Sequence, residues 1–174
     1  MHMQKQFSEK QQFSFLGIKL VLIILFLFFA GGAVRQIFLG IPLGNRPMSD
    51  TGIALLTGFI GLLLLVAYMA TMKTVITEDG ITVTFFPFLL KKKTITWDTL
   101  QAAYVREYSP IGEYGGWGFR MVNNDTTLGG SKALNVKGNQ GLQLVFKNGE
   151  KLLIGTQQPR ELAAFLREIN RGQP

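Results

Sequence analysis

The side chains that ordinarily carry catalysis are scarce in this chain. Its 174 residues include no cysteine and one histidine, His2. That excludes thiol nucleophiles, disulfides and thiolate zinc sites, and leaves acid–base chemistry without an internal imidazole. Asp98, Glu107, Glu113 and Asp125 fall on separate strands or loops, and no spacing sets two of them on one face. Arg106 and Glu107 are adjacent, so on a strand they point to opposite faces. A hydrolase reading needs Ser109 or Asp98 as an oxygen nucleophile in a concave pocket shared with Arg106 or Arg120. The residue types argue against an enzyme and give no expectation of a metal or cofactor.

Binding chemistry is better represented. Phe85-Phe86-Pro87-Phe88-Leu89-Leu90 runs directly into Lys91-Lys92-Lys93. Apolar side chains can enter a membrane interface, and a lysine near an anionic leaflet gains about 1 kcal/mol. Phe86, Phe88, Leu89, Leu90, Lys91, Lys92 and Lys93 are therefore expected to contact the membrane surface. The competing reading makes Phe86 and Phe88 core residues and the lysines a solvated turn. A second stretch, Tyr108 to Arg120, alternates aromatics with Pro110, Gly112, Gly115, Gly116 and Gly118. Tyr108, Tyr114, Trp117 and Arg120 fit a partner-binding surface. They fit equally a set of rings packed on a sheet beside a glycine bulge, or an aromatic belt at the lipid interface. The glycines lack the strand-to-helix context of a phosphate loop. Asn135–Gly141 reads as a turn.

What must position these residues begins with two charge-free runs, Leu20–Val34 and Thr51–Met72. At about 1.5 Å per residue the second spans roughly 33 Å, enough for a bilayer core of about 30 Å. The first is extended to Leu16–Leu39 if Lys19 and Arg35 snorkel to the headgroups. A signal peptide is the alternative, but a second apolar run follows within a dozen residues. Gly40–Asp50, with two prolines and two glycines, is a turn, and Ser49 or Asp50 caps the next helix. Gly31, Gly32, Gly58 and Gly61 supply small residues for close helix packing. Lys5, Lys10, Lys19, Lys73 and Lys91–Lys93 outnumber Arg35 and Arg46 of the loop, which predicts both termini on the cytoplasmic side. The formal charge of +7 is spread along the chain and suits an anionic leaflet better than a nucleic acid.

After Lys73 the period changes to two. Thr74–Glu78 and Ile81–Phe86 flank Asp79-Gly80, a strong hairpin signal. Further strands are expected at Lys93–Trp97, Gln101–Glu107, Trp117–Val122, Lys132–Val136, Leu142–Lys147 and Lys151–Gly155. Pro159 opens a terminal helix with Leu162, Phe165, Leu166 and Ile169 on one stripe. The predicted division is a cytoplasmic tail over 1–15, a transmembrane hairpin over 16–72 (helices about 16–39 and 51–72), and an α+β domain over 73–174. Seven or eight antiparallel strands closed by one helix make up that domain.

Ile76-Thr77-Glu78-Asp79-Gly80-Ile81-Thr82-Val83 followed by Ile95-Thr96-Trp97-Asp98-Thr99-Leu100 resembles the opening of bacterial pleckstrin-homology-like domains, which often follow a pair of transmembrane helices. The resemblance covers most of residues 50–170. It implies two orthogonal antiparallel sheets, a barrel or sandwich capped by the terminal helix, and a binding or scaffolding role. Headgroup-binding members use basic residues around the first strand–strand loop. Here that loop lies beside Glu78 and Asp79, so headgroup binding is not carried over. The sequence thus predicts a non-enzymatic integral protein of the bacterial inner or plasma membrane, presenting its domain to a protein partner or to copies of itself. An accessory subunit of a larger transporter or cell-envelope complex is the alternative.

Overall fold

The computed structural model describes residues 5–12, 16–122 and 130–171; His2 and Asp125 lie outside the described residues. Two compact units result, one holding residues 16–69 and one holding residues 70–171 with the N-terminal segment 5–12.

The first unit is the helix pair α1 (Leu16–Leu39) and α2 (Asp50–Met69). With 24 and 20 residues they extend about 36 and 30 Å. Their mean hydropathy is 2.4 and 2.3, and only 6% and 11% of their apolar windows are buried. Both are long and apolar enough to cross a membrane, and neither is the enclosed core helix of a globular domain. Ser49 caps α2, its Oγ accepting from the Gly52 amide at 3.1 Å. Gln36 ties the turn to α1 by donating to the Met48 carbonyl and the Asp50 carboxylate at 2.7 and 2.8 Å. The four glycines divide in role. A Cβ on Gly32 would lie 2.7 Å from Leu43, and one on Gly61 3.0 Å from Phe26, whereas Gly31 and Gly58 have open space there. Neighbouring positions on a helix point about 100° apart, so Gly31 turns away from the seam that Gly32 enters.

In the second unit, β1 (Gln6–Gln12), β2 (Thr71–Thr77), β3 (Gly80–Phe86) and β4 (Leu89–Thr96) form an antiparallel sheet in chain order. A 3₁₀ turn at Trp97–Thr99 carries the chain into a second sheet. The indole of Trp97 pins that turn by donating to the Thr77 carbonyl at 3.0 Å. The second sheet comprises β5 (Leu100–Glu107), β6 (Gly118–Val122), β7 (Ser131–Asn135), β8 (Gln140–Phe146) and β9 (Lys151–Gly155), in order β5-β8-β9-β7-β6. Two helices complete the unit, α3 (Pro110–Tyr114) and α4 (Pro159–Glu168). Leu162 and Leu166 of α4 are buried with Ile76, Ile81, Phe85, Leu142, Leu144 and Ile154 in one apolar core. Each fully buried side chain of this kind contributes about 1.5–3 kcal/mol.

Several features differ from the sequence expectation. The described strands number nine, β7 and β9 run parallel, and the sheets do not close into a barrel among the described residues. The second helix stops at Met69, so Lys73 lies inside β2. Gly80 is needed for close approach, since a Cβ there would sit 2.5 Å from the Ile95 carbonyl oxygen.

A further difference is β1, where the sequence predicts a tail. It reads QFSEKQQ, with Phe7, Glu9 and Gln11 facing inward. Polar residues on an inward face conceal a strand from hydropathy, but here they find partners across the core. Glu9 accepts from the Thr156 hydroxyl at 2.6 Å and the Gln157 amide at 2.7 Å. Gln11 donates to the Gly155 carbonyl at 2.7 Å, and the Phe7 and Phe165 rings lie 6.2 Å apart. Because Gln12 pairs with Thr71, both apolar helices are an insertion between two adjacent strands of one sheet.

Candidate functional site

Register places one candidate at a sheet end. Thr71 pairs with Gln12 on one side and Phe86 on the other. The β3–β4 turn therefore shares its sheet end with the two points where the chain leaves for, and returns from, α1 and α2. At this tip Phe86, Phe88 and Leu90 are 40%, 49% and 80% exposed, and Lys91 and Lys92 are exposed beside them. Phe85 is fully buried, its ring 4.9 Å from that of Phe88, and Leu89 packs against the core. Lys93 is half-buried. Burial, then the nearby Lys132 charge, lowers its pKa against the opposing pull of Glu150. Of the seven expected contact residues, the tip thus presents Phe86, Phe88, Leu90, Lys91 and Lys92. Strand alternation turns Leu89 and Lys93 away from Leu90 and Lys92.

The outer face of the second sheet holds the other candidate. Here the Tyr108–Arg120 stretch is a lid. Ser109 Oγ caps α3 by accepting from the Gly112 amide at 3.1 Å, and its own amide donates to Glu113 at 2.8 Å. Gly115 ends the helix at φ 68°, a left-handed conformation glycine adopts without a Cβ penalty. Tyr108 and Tyr114 are buried, 4% and 5% exposed, with rings 5.9 Å apart over Ala133 and Leu153. Both rings pack on the sheet, as the packing alternative expects. Burial raises the pKa of both phenols. Trp117 is half-buried and donates to the Gly138 carbonyl at 3.0 Å, and the exposed Arg120 donates to the Trp117 carbonyl at 3.1 Å. Asn135 closes β7 as a buried hinge post, accepting from the Gly118 amide at 2.9 Å and donating to Tyr108 Oη at 3.0 Å. The turn expected over Asn135–Gly141 is thus confined to residues 136–139.

Beside the lid is a cavity of about 610 Å³ whose lining includes Tyr104, Arg106, Glu113, Ser131, Gln143 and Lys151. Arg106 sits at its edge, held by four residues: Gln143 and Glu113, the Glu107 carbonyl (from Nη1, 3.1 Å) and the Tyr114 hydroxyl (from Nη2, 3.4 Å). Its Nε donates to Gln143 Oε1 at 3.0 Å, and Gln143 is 2% exposed. Its Nη1 and Nη2 donate to the two carboxylate oxygens of Glu113 at 3.2 and 2.6 Å, the forked geometry guanidinium and carboxylate prefer. The Arg106 hydrogen bond holds the Glu113 carboxyl below its ordinary pKa of 4.5. Sequence reading missed Arg106 with Glu113 because α3 was not expected, although Ser-Pro ahead of Glu113 and Gly115-Gly116 behind it are helix start and stop signals.

The two candidate nucleophiles do not join this cavity. Ser109 is committed to capping α3. Asp98 lies in the Trp97–Thr99 turn, where a hydrogen bond with Thr96 lowers its pKa. Among the described residues no cluster of three histidine, aspartate or glutamate side chains could hold a metal ion. No protein-family model matches the chain, and no curated protein matches it.

Proposed function

We propose that the protein is an integral membrane protein whose two helices cross the bilayer as a hairpin and hold a pleckstrin-homology-like domain at the cytoplasmic surface. There the domain binds a protein partner or further copies of the chain. The observation that carries this reading is the pairing of β1 with β2 across the inserted helices. Strands that share a sheet must lie on one side of a membrane, so the intervening apolar segments cross it twice or not at all. Their length, hydropathy and low burial favour twice. A cleaved signal peptide would take β1 away from its sheet.

The exposed tip supports the second half of the reading. Phe86, Phe88 and Leu90 are apolar and exposed at the sheet end where the helices leave, and Lys91 and Lys92 follow. Apolar residues backed by lysines suit the interface of an anionic leaflet. The accessory-subunit reading keeps one observation, the open space at Gly31 and Gly58, which a neighbouring helix could use.

Depth quenching tests the proposal on the full chain. An environment-sensitive dye at Leu90→Cys, in vesicles containing spin-labelled lipid, should be quenched, and one at Asn148→Cys should not. Equal fluorescence at the two positions would contradict orientation by the tip.

A further inference from the structure

We propose that the outer-face cavity binds a small dicarboxylate, one carboxylate taking the place of Glu113 on Arg106 and the other pairing with Lys151. This is independent of the membrane reading. Four observations carry it.

Arg106 is preorganised as a carboxylate receptor. Gln143, buried in the sheet, holds its Nε, the Glu107 carbonyl accepts from Nη1 and the Tyr114 hydroxyl from Nη2, and both terminal nitrogens also reach one forked acceptor. That acceptor is Glu113, on the lid, with a side chain 40% exposed. Its release gives up the Arg106 fork and the Ser109 amide hydrogen bond, while the Tyr114 ring stays packed on the sheet. Second, a ligand that displaces it meets a further cation. Lys151 lines the same cavity and its side chain has no hydrogen-bond or ion-pair partner among the described residues. Two cations line one cavity that has a single carboxylate, Glu113, among its described lining residues, and displacing that carboxylate calls for two negative charges.

Third, the neutral donors complement that charge. The hydroxyls of Tyr104 and Ser131 line the cavity and have no hydrogen-bond partner among the described residues. Strand pairing sets them in neighbouring rows: Tyr104 opposite Gln143, Gln143 opposite Leu153, and Ser131 opposite Lys151. Fourth, about 610 Å³ falls in the range of roughly 300–1,000 Å³ typical of small-molecule sites. A carboxylate is favoured over phosphate because the Arg106 fork already holds one in bidentate geometry.

Calorimetric titration of the full-length protein in detergent with succinate, glutarate and adipate tests this, with adipamide as neutral control. At least one dicarboxylate should bind saturably and adipamide should not. Glu113→Gln should tighten that binding about tenfold, because the competing charge is gone and charged hydrogen bonds outweigh neutral ones. Lys151→Met should weaken it at least tenfold. It touches neither Arg106 nor α3, so it remains informative if Glu113→Gln misfolds. The proposal is overturned if no dicarboxylate binds either wild type or Glu113→Gln, if Lys151→Met leaves affinity unchanged, or if inorganic phosphate binds more tightly than every dicarboxylate.

Discussion

Asn135 links the lid to the sheet through one buried amide. It satisfies the Gly118 amide and the Tyr108 hydroxyl together, so Asn135→Ala strands two buried polar groups. The expected cost is about 2 kcal/mol, read by urea denaturation followed through tryptophan fluorescence. Lys137→Ala, at an exposed position, should change stability by less than about 0.5 kcal/mol. Equal effects would mean Asn135 is not the post described. Glu113 gives a pH signature. Arg106 depresses its folded-state pKa below the ordinary 4.5, so the stabilisation of ionised Glu113 is present above about pH 4.5 and lost as pH falls through the depressed value. Hydrogen exchange at 110–115 should accelerate in that acid window, and Glu113→Gln should remove the step. These residues also mark the limit of sequence reading. The paired residues are seven positions apart, and a five-residue helix has to form before they meet. Nothing in the strand period signals it.

At the scale of elements, legibility followed hydropathy. The alternating strands from β2 to β9 and the stripe of α4 were visible because their inward positions are apolar, as Ile76, Leu144 and Leu166 illustrate. β1 was hidden because its inward Glu9 and Gln11 find partners only on residues 155–157. A contact across more than a hundred residues leaves no local pattern. The parallel β7–β9 pair was likewise unreadable, since strand order depends on which edges meet. The β1 assignment makes a direct prediction. Residues 70–171 alone lack an edge strand and should aggregate or unfold without cooperativity. Joining residue 12 to residue 71 through a short Gly-Ser linker in place of both helices should give a soluble, cooperatively folding domain, judged by circular dichroism and thermal unfolding. Phe7→Ala in that form should cost about 3 kcal/mol. If residues 70–171 fold equally well without β1, the insertion account fails.

For the molecule as a whole, the strand register constrains the proposed membrane arrangement. Two apolar helices by themselves leave several arrangements open. An N-terminal strand locked beside the strand that follows the second helix leaves the two sides of the insertion in one compartment. The excess of lysine on the domain side is the basis for proposing the cytoplasm as that compartment. The chain has no cysteine, so single cysteines report position without interference. Ser8→Cys, Asn45→Cys and Asn148→Cys, probed in intact cells with a membrane-impermeant maleimide, test this directly. Labelling is expected at position 45 alone, with positions 8 and 148 reacting only after the membrane is opened. Labelling of 8 and 148 with protection of 45 would invert the topology, and different accessibility of 8 and 148 would contradict the two-crossing insertion itself.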